Sequence, residues 1–199
     1  MLDCFAAKAD SQTITLSAVT KKGFSAWLKK QSKRNSAWIS ASGFNADPGT
    51  VLLLPASGKG NGVDTGLVGV GADGDIWSWA AAAGNLPAGR YALAKTIDDD
   101  AATRAALGWA LGNYTFGRYK KSSRKPTKLV VTKAMRAAGA DDAAESVYLV
   151  RDLINTPASD MGPGELATAA QALAREFKGR CKITVGDDLL RDNYPMIHA

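Results

Sequence analysis

A chain of 199 residues that is 46% hydrophobic and 22% charged holds enough apolar material for one sizeable core, which excludes a disordered or fibrous protein. No run of about 18 apolar residues is present to cross a bilayer. The opening MLDCFAAKADSQTITL lacks the basic and apolar regions of a secretory signal, so the cytoplasm is the expected location and no membrane partner is expected.

TITLSAV, Thr13 to Val19, alternates polar and apolar side chains and predicts a half-buried strand. GFSAWLKKQ turns to helical spacing, with Phe24, Trp27 and Leu28 on one face. SAWISASGF, Ser36 to Phe44, reads as a second strand. GTVLLLPA reads as a strand covered on both faces. A glycine-rich tip comes after it, so Val51 to Pro55 and Gly66 to Val70 are expected to pair as a hairpin.

The second arm of that hairpin ends in GVGADG, where Gly69, Gly71 and Gly74 match G-x-G-x-x-G ahead of the helical IWSWAAAAGNL. Such glycines let backbone amides approach a pyrophosphate at a helix N-terminus. A hairpin frames them here instead of a βαβ unit, and no acidic residue stands about 20 residues on at the end of a clear strand. A tight strand-to-helix turn is therefore the first reading, and a dinucleotide cradle the second.

GRYALA predicts a short strand. DDDAATRAALGWALGNYTF predicts a helix whose opening acids, Asp98 to Asp100, cap its amides and oppose its dipole; consecutive side chains at a helix entry diverge, which disfavours a metal cluster there. Next comes RYKKSSRKPTK, where Arg118, Lys120, Lys121, Arg124, Lys125 and Lys128 occur with no acid among them. Tyr114, Phe116 and Tyr119 adjoin this run, a pattern that can stack bases while cations neutralise phosphates. The plainer reading is a solvated loop.

TKLVVTK predicts a further strand. DDAAESVYLVRDLIN predicts a helix with Val147, Leu149, Val150, Leu153 and Ile154 on a broad apolar face. It stops at Asn155-Thr156-Pro157, because a residue before proline is pushed out of the helical region. GPGELATAAQALAREF predicts the next helix, with Pro163 at its start and Leu166, Ala169, Ala170, Leu173 and Phe177 on one stripe. CKITVGDDLL is expected to supply a strand, through Ile183 and Val185, and another helix start.

Cys4 and Cys181 have no Cys or His at zinc-site spacing, and His198 is the sole histidine, so neither a zinc finger nor an imidazole-based triad is expected. The remaining acids stand as isolated helix caps. Nothing in the chain is spaced like a catalytic centre, so no catalytic residue, metal ligand or bound cofactor is assigned to it.

YLVRDLINTPASDMGPGELA nevertheless resembles the segment that joins the two domains of the leucyl aminopeptidase family, the cytosol aminopeptidases. VGDDLLRDNYPMIHA is similar to the stretch after that joint in the family, and AALGWALGNYTFGRYKK resembles a helix and loop of the N-terminal domain in a bacterial branch of it. The resemblance covers roughly Val51 to Ala199, with RDLINTPASDMGP as its specific part.

It implies an α/β protein. Residues 1–140 would form a macro-domain-like domain with a central mixed sheet flanked by helices, residues 141–160 a connecting helix and joint, and residues 161–199 the truncated beginning of a second, catalytic α/β domain. Asn155, Thr156, Pro157, Asp160 and Met161 match the family motif. Their residue types suit a structural joint, in which Asn155 and Thr156 stop the helix, Pro157 fixes its exit and Asp160 caps the next turn.

By the same resemblance, the intact enzyme would release N-terminal residues from peptide substrates with two divalent metal ions, zinc or manganese, and would assemble as a homo-hexamer. The family's metal signatures, resembling DTGG and NTDAEGRL, do not occur in this sequence. Two alternatives stay open: a nucleic-acid-binding module using the basic loop 118–128, and a small nucleotide-binding protein built on the glycine turn or the macro-like fold.

Overall fold

ITLSAVT and VDTGLVGV divide their apolar side chains between the two faces of the sheet and lie side by side within it. The computed structural model describes residues 2–56, 62–72, 75–123 and 125–198. Among them, six strands form one mixed sheet: β1 (Phe5–Ala6), β2 (Ile14–Thr20), β3 (Val51–Pro55), β4 (Val63–Val70), β5 (Arg90–Leu93) and β6 (Lys128–Val130), in the order β1-β6-β5-β2-β4-β3. All neighbours run parallel except β3, which pairs antiparallel with β4 as the expected hairpin.

Period-two alternation sends side chains to two different cores. Leu16, Val68, Val70, Tyr91 and Leu129 face a large cluster with helices α3 (Ile76–Asn85), α4 (Asp99–Asn113), α5 (Lys133–Ala137) and the start of α6 (Ala140–Asn155). Val19, Leu54 and Leu67 face a smaller one with α1 (Phe24–Leu28) and α2 (Lys33–Ala41). The sheet is thus covered on both sides.

β3 is apolar because Val51 and Leu53 reach the large cluster while Leu52 and Leu54 reach the small one. It is nonetheless an edge strand, a position that usually invites unwanted pairing. Helix α2 occupies outward carbonyls there: Trp38 Nε1 donates to Leu53 O at 3.2 Å and Arg34 Nη1 to Ala56 O at 3.2 Å.

That helix corrects the strand expected from Ser36 to Phe44. The Ser32 side chain accepts the Asn35 amide as an N-cap, and α2 turns Ile39 into the small core, fully buried. The aromatic and β-branched Trp38 and Ile39 suit a strand, but the Ser32 cap and one buried anchor, Ile39, seat the segment as a helix.

Helices α3 and α4 touch backbone to backbone. A methyl group on Gly108 would lie 2.1 Å from Ile76 O, and one on Gly112 would lie 2.1 Å from Ala80 O. Their four-residue spacing puts both on one face of α4. The approach buries Trp79 and Trp109 beneath it, and the Trp109 ring meets Tyr91 with centroids 5.5 Å apart. Of the three opening acids of α4, Asp98 is the N-cap, accepting the Ala101 amide at 2.8 Å, while Asp99 and Asp100 lie in the first turn.

The chain divides into two compact units, Met1–Val150 and Arg151–Ala199. Ala140 and Ala144 of α6 are buried in the first unit's core, and Tyr148 Oη donates to Ala110 O at 2.5 Å. On the apolar face foreseen on α6, Val147, Leu149 and Leu153 are half-buried, while Val150 is 53% and Ile154 75% exposed. The second unit contains α7 (Pro163–Glu176), α8 (Asp188–Arg191) and α9 (Pro195–His198). No strand forms among its described residues, so the one expected at Cys181 to Val185 is absent: Ile183 and Val185 alternate as a strand would, but no neighbouring strand is there to take up the backbone hydrogen bonds.

This packing has two measurable consequences. Gly108→Ala should destabilise the protein by about 1–3 kcal/mol in urea denaturation, because the methyl must displace backbone, whereas Gly117→Ala, which meets nothing within 4 Å, should not. A chain ending at Gly139 should melt several degrees below one ending at Asn155, since it loses the α6 contacts at about 2–4 °C per kcal/mol; equal melting would place α6 outside the cooperative core.

Candidate functional site

The glycine turn after β4 is filled by its own chain. A Cβ on Gly69 would lie 2.1 Å from Asp47 O, and one on Gly71 would fall against the Asp75 carboxylate, so both glycines serve close packing. Asp75 caps α3: Oδ1 accepts the Ser78 amide at 2.8 Å, Oδ2 accepts the Ser78 hydroxyl at 2.8 Å, and the Gly71 amide turns to Ser78 Oγ at 3.2 Å. A carboxylate therefore occupies the place where a pyrophosphate would have to sit. Gly74 lies outside the described residues. Desolvation pushes the Asp75 carboxyl up, but the Ser78 hydroxyl and amide outweigh it and hold the group below its ordinary value.

The basic loop is exposed along its length at Arg118, Lys120, Lys121, Lys125 and Lys128, and Arg124 lies outside the described residues. Its aromatic residues engage one another. Phe116 and Tyr119 meet edge to face with centroids 5.8 Å apart, the Arg118 guanidinium stands 5.7 Å from the Tyr119 ring centre, and Tyr114 packs on Tyr148. The loop returns to the core at Thr127, which is buried and clamps three elements: its hydroxyl donates to Ala83 O and accepts from Asn113 Nδ2, and its carbonyl accepts Trp109 Nε1.

Beside this anchor, at the amino ends of β2, β5 and β6, lies a cleft of about 720 Å³ whose charged lining is Asp3, Asp10, Arg90, Lys125 and Lys128. Lys125 and Lys128 stand out in the sequence through their run of basic neighbours. Asp3, Asp10 and Arg90 do not, because only strand register brings Arg90 opposite Lys128. A smaller cavity of about 420 Å³ adjoins it, sharing Asp3 and Pro126 and reaching Cys4 and Tyr148. Burial pushes the Cys4 thiol up to about 11, which keeps it protonated and unreactive at neutral pH.

At the second unit's entrance, α6 ends at Asn155. Thr156, largely buried, donates its hydroxyl to Asp152 O at 2.7 Å, and the Asp160 amide returns to Pro157 O at 2.8 Å. Gly162, just after Met161, is the N-cap of α7, and its amide donates to Glu165 Oε2 at 3.0 Å. Pro163 stands at the first helical position.

A family model described as the N-terminal domain of M17 aminopeptidases matches residues 14–132, which run from β2 through the cleft to the end of β6. This chain belongs to the M17 aminopeptidase family. A probable cytosol aminopeptidase of Leifsonia xyli subsp. xyli is 30% identical over 184 residues, covering 84% of this chain and 34% of the relative. The crystal structure of the cytosol aminopeptidase from Coxiella burnetii superimposes with a TM-score of 0.84 at 35% identity, covering 94% of this chain and 41% of that one. The bottromycin maturation enzyme BotP in complex with Mn shares the fold, with a TM-score of 0.70 at 24% identity over 91% of this chain and 40% of that one. The chain thus spans about a third of the length of the Leifsonia M17 relative.

The residues present do not fit a metal centre of the kind an M17 aminopeptidase implies. Among the described residues no three His, Cys, Asp or Glu side chains converge on one point, and a two-metal site needs a carboxylate cage holding ions about 3.5–4 Å apart. No helix among them is long and apolar enough to cross a membrane.

The Asp75 cap gives a pH-dependent test. Asp75→Ala should cost about 0.5–2 kcal/mol at pH 7. A carboxyl held below its ordinary value stabilises the fold above about pH 4 and ceases to do so as pH falls through its folded-state value. The gap between parent and variant in urea melts should therefore narrow towards about pH 3; a constant gap would show that the cap acts through packing rather than charge.

Proposed function

We propose that this chain serves as the amino-terminal portion of a leucyl aminopeptidase-like metallopeptidase, an enzyme releasing N-terminal residues from peptides with two divalent metal ions, zinc or manganese. The match of residues 14–132 to the M17 N-terminal domain carries the reading. The likeness to the Coxiella burnetii enzyme over 94% of the chain supports it. In this reading the metal ligands and catalytic groups lie outside these 199 residues, and no step of hydrolysis is assigned to a side chain here.

In this reading the chain contributes a compact unit, Met1–Val150, and a structural joint made of Asn155, Thr156, Pro157, Asp160 and Met161 between α6 and α7. The exposed stripe of Leu166, Leu173 and Phe177 suits burial against the remainder of such an enzyme. By family resemblance the assembly is a cytoplasmic homo-hexamer acting on peptides.

A chimera tests the reading. This chain replaces the equivalent part of the Coxiella burnetii aminopeptidase, and hydrolysis of leucyl-para-nitroanilide is measured with and without a chelator. The chimera should recover metal-dependent turnover that the Coxiella remainder lacks by itself, while the 199-residue chain alone stays at background. A folded chimera without activity, or chelator-sensitive activity in the chain alone, would overturn it.

A further inference from the structure

Arg90 and Lys128 are register partners at the start of neighbouring parallel strands, so their side chains leave the sheet on the same face. Like charges set opposite one another across a strand pair are destabilising. Only one of the two is compensated. Asp10 Oδ2 lies 2.7 Å from Arg90 Nη1, which also donates to Lys8 O at 3.2 Å. The other oxygen of Asp10 is engaged by the Thr13 hydroxyl at 2.9 Å and the Gln12 amide at 3.0 Å. Among the described residues neither Lys128 nor Lys125 pairs with a carboxylate.

Both lysines line the 720 Å³ cleft, a volume in the range of small-molecule pockets. Pro87, Ala88 and Pro126 supply apolar surface next to them. Thr127, one residue before Lys128, is fixed by the buried hydrogen bonds that join α3 and α4 to the loop, so this wall is held rather than loose. The cleft opens at the amino ends of the parallel strands. That is the opposite end from the crevice in which doubly wound folds hold ligands, and from the glycine turn after β4.

We propose that this cleft binds a small organic anion, a carboxylate or phosphate monoester carrying an apolar group, with its acidic head against Lys125 and Lys128 and its apolar part on Pro87, Ala88 and Pro126. The anion supplies the charge that the cross-strand pair lacks. Asp3, on the same lining, limits the affinity. The site does not depend on the aminopeptidase reading, and its test requires no catalysis.

Phenylacetate and phenyl phosphate are titrated into the 199-residue chain, with neutral benzyl alcohol as control, and binding is followed by amide chemical shifts and thermal melts. One of the two anions should bind saturably, with shifts centred on residues 87–91 and 125–128, and the alcohol should not; which anion binds tells carboxylate from phosphate. Lys125→Ala/Lys128→Ala should weaken binding at least tenfold while melting no lower than the parent in the absence of ligand, since cross-strand repulsion is relieved. Asp3→Asn should strengthen binding. Absence of saturable binding, or equal affinity in the double lysine variant, overturns the proposal. So does a short DNA duplex that binds more tightly than either anion and is lost in the same variant, because the surface would then be a nucleic-acid contact.

Discussion

The close approach of α3 and α4 is the constraint on which the first unit depends. With hydrogen atoms at Gly108 and Gly112, the α4 backbone reaches carbonyls of α3, and two tryptophans, Trp79 and Trp109, fall into the space between helix pair and sheet. A buried indole needs a partner for its N–H. Trp109 finds it in Thr127 O, and the Thr127 hydroxyl finds its own in Ala83 and Asn113. The same few hydrogen bonds therefore fix the end of a long exposed loop and the first residues of β6. Removing the glycines would move the helices apart and release that end, so the geometry of the cleft is a consequence of helix packing some distance from it.

Sequence periodicity is most informative where side chains alternate or recur between two unlike environments. ITLSAVT, VLLLP and VDTGLVGV each divide their apolar residues between the two cores, and each forms the strand that its pattern implies. Asn155 ends α6 before Pro157, and Pro163 opens α7, because proline restricts backbone in ways that surroundings rarely override. Ser36 to Phe44 misleads for the converse reason: it carries no clear period, and the Ser32 cap and the single buried Ile39 decide for helix. The two-residue β1 and the short α5 carry too few residues to show a period at all.

The cleft is half legible. A run of cations with no acid is visible in any sequence, and it marks Lys125 and Lys128. Register is not visible. Arg90 and Lys128 are far apart in the chain and become neighbours only because β5 and β6 pair in parallel, and Asp10 reaches Arg90 from the loop before β2. The glycine turn after β4 shows the opposite error, a motif recognised by spacing whose space is already taken by Asp75. Spacing identifies where a backbone can come close to something, and packing decides what that something is.

Family membership and structure meet at α6. Its first half belongs energetically to the sheet domain through Ala140, Ala144 and Tyr148, while its second half presents Val150 and Ile154 to solvent. A helix with one end anchored and part of its apolar face uncovered forfeits roughly 25 cal/mol for each Å² of apolar surface left in water. The neighbouring stripe of α7 repeats the pattern, with Phe177 73% exposed. Such surface is tolerable for a chain whose stability comes from a separate core, as the buried Trp79, Tyr91 and Trp109 provide here. The core of the first unit is thus built around Trp79, Tyr91 and Trp109, and the exposed Val150, Ile154 and Phe177 take no part in it.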